Sequence, residues 1–116
     1  MDARRRILVV DDDRLVLTAV GRLLGSLGYD VLSAGSGPEA LKTLSSVDGA
    51  VDLVLTDFRM PEMDGRALRG EIETTYPNLP VVLMSGDLPD PAVLPKPITR
   101  NALRLVLLRA WQGSGE

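Results

Sequence analysis

Apolar positions in this chain fall into short unbroken runs that alternate with longer stretches of helical spacing. Ile7-Leu8-Val9-Val10 is a continuous run rich in β-branched residues, the pattern of a strand buried on both faces, and it ends abruptly in Asp11-Asp12-Asp13. From Leu15 to Leu27 the residues Leu15, Val16, Ala19, Val20, Leu23, Leu24 and Leu27 recur at helical spacing, and Gly28 supplies the stop. Tyr29 to Ala34 reads as a second strand. Ser36-Gly37-Pro38-Glu39 has the form of a capping box, with proline early in the helix where its missing N–H costs little, and opens a helix through Leu41 and Leu44. Asp52 to Thr56 is a third strand. Asp64 caps a helix from about Arg66 to Tyr76, which Pro77 closes. Pro80 to Met84 makes a fourth strand, Ala92 to Leu94 a short fifth, and Thr99 to Gln112 a last helix. Strands alternating with helices predict a parallel α/β sheet covered on both faces, with ligands collecting at the carboxyl ends of the strands.

Composition narrows what such a sheet can do. The 116 residues, 45% of them hydrophobic, suffice for a single domain over 1–116 with its core at about 5–112. A net charge of −3 and a pI near 4.9 argue against a nucleic-acid partner, which a basic face would serve, and Arg4-Arg5-Arg6 reads as a solvated lead-in to the first strand. Cysteine and histidine are both absent. That excludes disulfides, thiolate and zinc-type metal sites, Ser-His-Asp triads and a histidine base. No apolar run approaches ~18 residues, and Met1-Asp2-Ala3-Arg4 lacks the apolar core of a signal peptide. A cytoplasmic protein without a membrane partner is expected.

The remaining chemistry sits at the predicted strand ends: Asp11 and Asp12 after the first strand, Asp57 after the third, Ser85 after the fourth and Lys96 after the fifth. Asp57 taken alone reads equally well as a loop cap. Convergence changes that balance, because carboxylates packed together repel and raise each other's pKa unless a cation sits among them. All-oxygen ligands with room for waters favour a hard divalent ion, Mg²⁺ or Mn²⁺. Asp13 reads as an acidic residue favouring a helix N-terminus, and Met60 and Met63 as loop packing.

Four segments in order and in register, Ile7 to Asp13, Asp57-Phe58-Arg59-Met60-Pro61-Glu62-Met63-Asp64-Gly65, Met84-Ser85-Gly86 and Leu94-Pro95-Lys96-Pro97, resemble the receiver domain of two-component response regulators. The resemblance covers nearly the whole chain. It implies a flavodoxin-like, doubly wound sheet of five parallel strands in the order 2-1-3-4-5. It implies further that Asp57 accepts a phosphoryl group from the phosphohistidine of a sensor kinase or histidine phosphotransfer protein. Asp11, Asp12, Asp57 and the backbone carbonyl of Arg59 would hold Mg²⁺, and Ser85 and Lys96 would contact the phosphoryl oxygens. A cis peptide before Pro97, and a placement of Arg59 and Asp87 that affects phosphate lifetime, are implied in the same way. Phosphoryl transfer needs in-line placement and charge neutralisation more than covalent help, so an ionised aspartate can serve without a base. A metal-dependent aspartyl phosphatase or phosphotransferase is the alternative, although Arg59 stands where a second acid two residues on would be needed. A degenerate receiver serving only as an interaction module is a weaker alternative, given that all five pocket residues are present.

The chain departs from the family between Ser85 and Lys96, where a loop, a helix and another loop are usual. Only Gly86 to Pro95 intervenes, with prolines at 89, 91 and 95, and this leaves no room for a helix. Ser85 to Pro91, fully extended at ~3.3 Å per residue, reaches roughly 23 Å. That just spans a return of ~17 Å along a strand plus a sideways step of ~4.8 Å, so an extended crossover is expected. The resemblance also places a switching aromatic three residues before the lysine, where this chain has Val93, so the output face should be atypical. In the last helix Ile98, Leu103, Val106, Leu107 and Ala110 are assigned to the core and Leu105, Leu108 and Trp111 to the other side. Two readings fit that near-encirclement: a homodimer through the 99–112 helix, or a deeper seat gained from the missing helix. Gly113 to Glu116 reads as a short tail without room for an output domain.

Overall fold

The computed structural model describes residues 4–85 and 93–113. Five parallel strands, β1 (Arg6–Val10), β2 (Asp30–Ala34), β3 (Leu53–Asp57), β4 (Val81–Ser85) and β5 (Val93–Pro95), form one sheet in the order β2-β1-β3-β4-β5. The helices among the described residues are α1 (Arg14–Ser26), α2 (Gly37–Ser46), α3 (Gly65–Thr75) and α4 (Arg100–Gly113). The alternation of elements predicted the parallel α/β sheet, and its flavodoxin-like strand order is the one the resemblance implied.

The runs Ile7 to Val10 in β1 and Leu53 to Leu55 in β3 are apolar without interruption because both faces of these strands are covered. Ile7, Val9, Leu53 and Leu55 point to one side, where Val20 and Leu24 of α1 and Leu103 and Leu107 of α4 close over them. Leu8, Val10 and Val54 point to the other, against Ala40 and Leu44 of α2 and Leu68 and Ile72 of α3. Full burial of each such side chain stabilises the fold by ~1.5–3 kcal/mol relative to leaving it in water.

The helices start where short polar side chains can take up free backbone N–H groups. Asp13 accepts from Leu15 N at 2.9 Å, Ser36 from Glu39 N at 3.2 Å, Asp64 from Ala67 N at 2.8 Å and Thr99 from Ala102 N at 3.1 Å. The Ser36 box closes one residue early: Glu39 Oε1 accepts from Gly35 N, at 2.9 Å, rather than from the capping residue's own N–H.

Two expectations change. The third strand runs one residue further than its apolar run, so Asp57 is its last residue and pairs in register with Met84. Trp111 does not lie on the outer side of the last helix. It follows Leu103 and Leu107 at successive spacings of four, which puts it on their face. There it packs at a tilt on Tyr29 (centroids 5.5 Å apart), lies under the Arg5 guanidinium and donates from Nε1 to the Asp52 carbonyl at 3.2 Å. Leu105 and Leu108, about half exposed, are what remains of the outward apolar set. β5 begins eight positions after β4 ends, and the expected extended crossover at 86–92 lies outside the described residues.

Candidate functional site

Register alone brings the candidate residues level. Val10 pairs with Thr56, so Asp11 and Asp57 leave the sheet side by side; Ser85 pairs with Pro95, so Lys96 emerges beside Ser85, with Lys96 N donating to the Ser85 carbonyl at 3.0 Å. Asp11 is almost wholly buried, at 1% exposed. Its Oδ1 accepts from Asp13 N at 2.8 Å and its Oδ2 from Lys96 Nζ at 3.0 Å. The same ammonium lies 2.9 Å from Asp57 Oδ1, so Lys96 bridges two buried carboxylates. One carboxylate oxygen each from Asp11, Asp12 and Asp57 falls within 4.8 Å of the others, and Asp12 is exposed at the mouth. Ser85 is buried at the end of β4. The Lys96–Pro97 peptide is cis, as the resemblance implied.

Electrostatics follow from that crowding. Burial pushes the Asp57 carboxyl up from its ordinary value, the Lys96 hydrogen bond opposes this, and the neighbouring charges of Asp11 and Asp12 push it further up. Burial would lower the Lys96 ammonium, but its bonds to Asp57 and Asp11 together outweigh that and raise it. Lys96 thus pairs with Asp11 and Asp57, while the Asp12 carboxylate lies within the same cluster of oxygens. Oxygen donors with no imidazole or thiolate suit a hard divalent cation.

Arg59 stands exposed on the loop after β3, its Cζ 5.6 Å from the centroid of the half-buried Phe58 ring. Asp87, to which the resemblance gives a place beside the site together with Arg59, lies outside the described residues. Asp13 caps α1, as expected of it.

Two features escaped the residue-by-residue reading. Gly65 opens α3 with its N–H on the Phe58 carbonyl at 2.8 Å, and a Cβ there would collide with the Asp57 carbonyl oxygen. Its traces in the sequence were its place after a capping aspartate and at the end of the Asp57 to Gly65 segment. The other is an apolar groove of about 460 Å³ between α1 and the segment after β5, lined by Leu15, Val16, Ala19, Leu23, Pro97 and Ile98 and reaching Lys96. Leu15 is 80% exposed there, and helical periodicity could not tell that from a core position.

Residues 7–107 match the family model of the response regulator receiver domain. The chain belongs to that family. It is 40% identical over 108 residues to the transcriptional regulatory protein GlrR of Escherichia coli (strain K12), a match covering 84% of this chain and 24% of that protein. It is 38% identical over 108 residues to the sensor kinase CckA of Brucella abortus (strain 2308), covering 84% of this chain and 11% of the kinase. This receiver chain thus spans about a quarter or less of the length of these relatives. Among solved structures, the signal receiver domain of an HD domain-containing protein from Pseudomonas fluorescens Pf-5 superposes with a TM-score of 0.84 at 31% identity, over 97% of this chain and 98% of that one. As a receiver domain the chain is a two-component signalling module, homologous both to response regulators and to receivers within sensor kinases. Among the described residues no helix is long and apolar enough to cross a membrane.

Proposed function

We propose that this receiver accepts a phosphoryl group on Asp57. The observation that carries the reading is the Lys96 ammonium, held between Asp57 and Asp11 with Asp12 beside them. Asp57 Oδ attacks phosphorus in line, and the bond from phosphorus to the donor's leaving nitrogen breaks with its electron pair returning to the imidazole. No base is required, because the nucleophile enters as a carboxylate. Lys96 faces the incoming equatorial oxygens, and the buried Ser85 hydroxyl donates to one of them. Asp11, Asp12, Asp57 and the Arg59 carbonyl would hold Mg²⁺, or Mn²⁺ in its place. A bound ion supplies positive charge to the phosphoryl oxygens.

The donor is the phosphohistidine of a sensor kinase or histidine phosphotransfer protein, in the cytoplasm. Its surface is met by the apolar groove beside Lys96, where Leu15 is free to be covered. The protein is a phosphoacceptor rather than an enzyme acting on separate substrates, and residues 1–116, with a core at 5–112, serve as one receiver unit. Its output face is atypical: with Val93 in the place of an aromatic and a short crossover before it, the phosphorylated state is reported by some other movement than an aromatic swing.

Incubation with Mg²⁺ and acetyl phosphate, followed by intact mass, tests this. One added phosphoryl group, lost in Asp57→Asn, is expected. Steady release of phosphate from unrelated esters would instead favour a phosphatase.

A further inference from the structure

Phe58, the residue after Asp57, carries a second guanidinium besides that of Arg59. Arg66 Cζ lies 5.3 Å from the same ring centroid, within the range of a cation–π contact. Arg66 is the second residue of α3, and the tight approach of Gly65 to Asp57 fixes the start of that helix against the β3 end. Two positive charges are thus collected on one aromatic ring, that of the residue directly after Asp57, and the trio of carboxylates to which Asp57 belongs would by its own charge repel an anionic phosphodonor. Both arginines are exposed, so their field reaches into solvent.

We infer that Arg66, held on Phe58 with Arg59, is a donor-steering residue that raises the encounter rate of doubly charged phosphodonors with Asp57. The inference rests on the phosphoacceptor reading and deepens it by naming what selects among small donors. Long-range attraction scales with the charge of the approaching species, so it favours a dianion over a monoanion and fades as salt shortens the reach of the field, from ~10 Å at 0.1 M to ~3 Å at 1 M. The chemical step is the same in both cases. An Asp57 oxygen forms the new bond to phosphorus, and the bond to the leaving group breaks with its electron pair, releasing acetate from acetyl phosphate or ammonia from the N-protonated phosphoramidate.

The test measures the second-order rate of phosphoryl gain, by intact mass with saturating Mg²⁺, for the unsubstituted protein, Arg66→Gln and Arg66→Lys. Acetyl phosphate serves as the dianion and phosphoramidate, with one net negative charge, as the comparison. Arg66→Gln should slow the acetyl phosphate reaction about threefold at low salt, the scale of one exposed charge acting across water. It should slow the phosphoramidate reaction less, and the difference should vanish at 1 M salt. Arg66→Lys, keeping the charge, should restore most of the rate. A loss equal for both donors and insensitive to salt would mean a structural effect and overturn the inference; so would unchanged Arg66→Gln kinetics. No mass gain in the unsubstituted protein would overturn the phosphoacceptor reading, and this inference with it.

Discussion

The Lys96 ammonium sits 2.9 Å from Asp57 Oδ1 and holds the proposed nucleophile in place before any phosphate arrives. The lysine side chain is 24% exposed and that of Asp57 10%, so the pair is only partly shielded from water. Removing the ammonium leaves Asp11 and Asp57 facing each other uncompensated. Lys96→Met should therefore destabilise the metal-free protein by about 3 kcal/mol in urea unfolding, the lower end for breaking a buried pair. Added Mg²⁺ should recover part of the loss, and phosphoryl gain should slow sharply. A stability change well under 1 kcal/mol would mean that water already screens the pair.

The raised Asp57 carboxyl predicts a pH dependence. Its folded pKa lies above its unfolded one, so its contribution to stability is complete below the ordinary carboxylate value and is lost as pH rises through the folded value. Asp57→Asn should accordingly gain stability relative to the unsubstituted protein over that interval and hold the gain to neutral pH. Lys96, also raised, keeps its contribution through neutral pH and loses it only as pH rises through its folded value. Carboxyl-carbon NMR would follow Asp57 directly. Titration at or below the ordinary aspartate range without metal would contradict this, whereas a downward move on adding Mg²⁺ is expected.

Gly65 and Gly70 make an internal comparison within α3. A Cβ at Gly65 meets backbone, which yields little, and Gly65→Ala should cost roughly 1–3 kcal/mol. Gly70 has nothing within 4 Å of a new Cβ and is exposed in mid-helix, so Gly70→Ala should stabilise by about 0.5–1 kcal/mol. Thermal or urea unfolding of the two variants checks both signs.

Leu15 separates donor docking from chemistry. Leu15→Asp places a charge in the apolar groove, at an exposed helix position where the fold itself should tolerate it. Transfer from a phosphorylated histidine phosphotransfer protein should slow ~10-fold or more, a loss of at least ~1.4 kcal/mol in docking. Gain from acetyl phosphate should change by less than a factor of about two, the scale of a single exposed charge. Equal slowing with both donors would remove the groove from the docking surface.

What could be read along the chain was whatever depends on neighbours in sequence. β1 and β3 announce themselves as apolar runs because both faces of a central parallel strand are covered, and Ser36 and Asp64 announce helix starts because a short side chain must take up free N–H groups. Asp11, Asp57, Ser85 and Lys96 were legible for a related reason: each is the polar residue that ends a buried run, and in a parallel sheet those ends share one edge. Tertiary structure decided what depends on distance between remote segments. Asp11 and Lys96 are 85 positions apart, and only the pairing of β1 with β3, β3 with β4 and β4 with β5 brings one ammonium within reach of two carboxylates. The same holds for Gly65, whose missing Cβ matters only because the Asp57 carbonyl lies against it, and for Leu15, apolar like its helix neighbours yet left open by the packing around it.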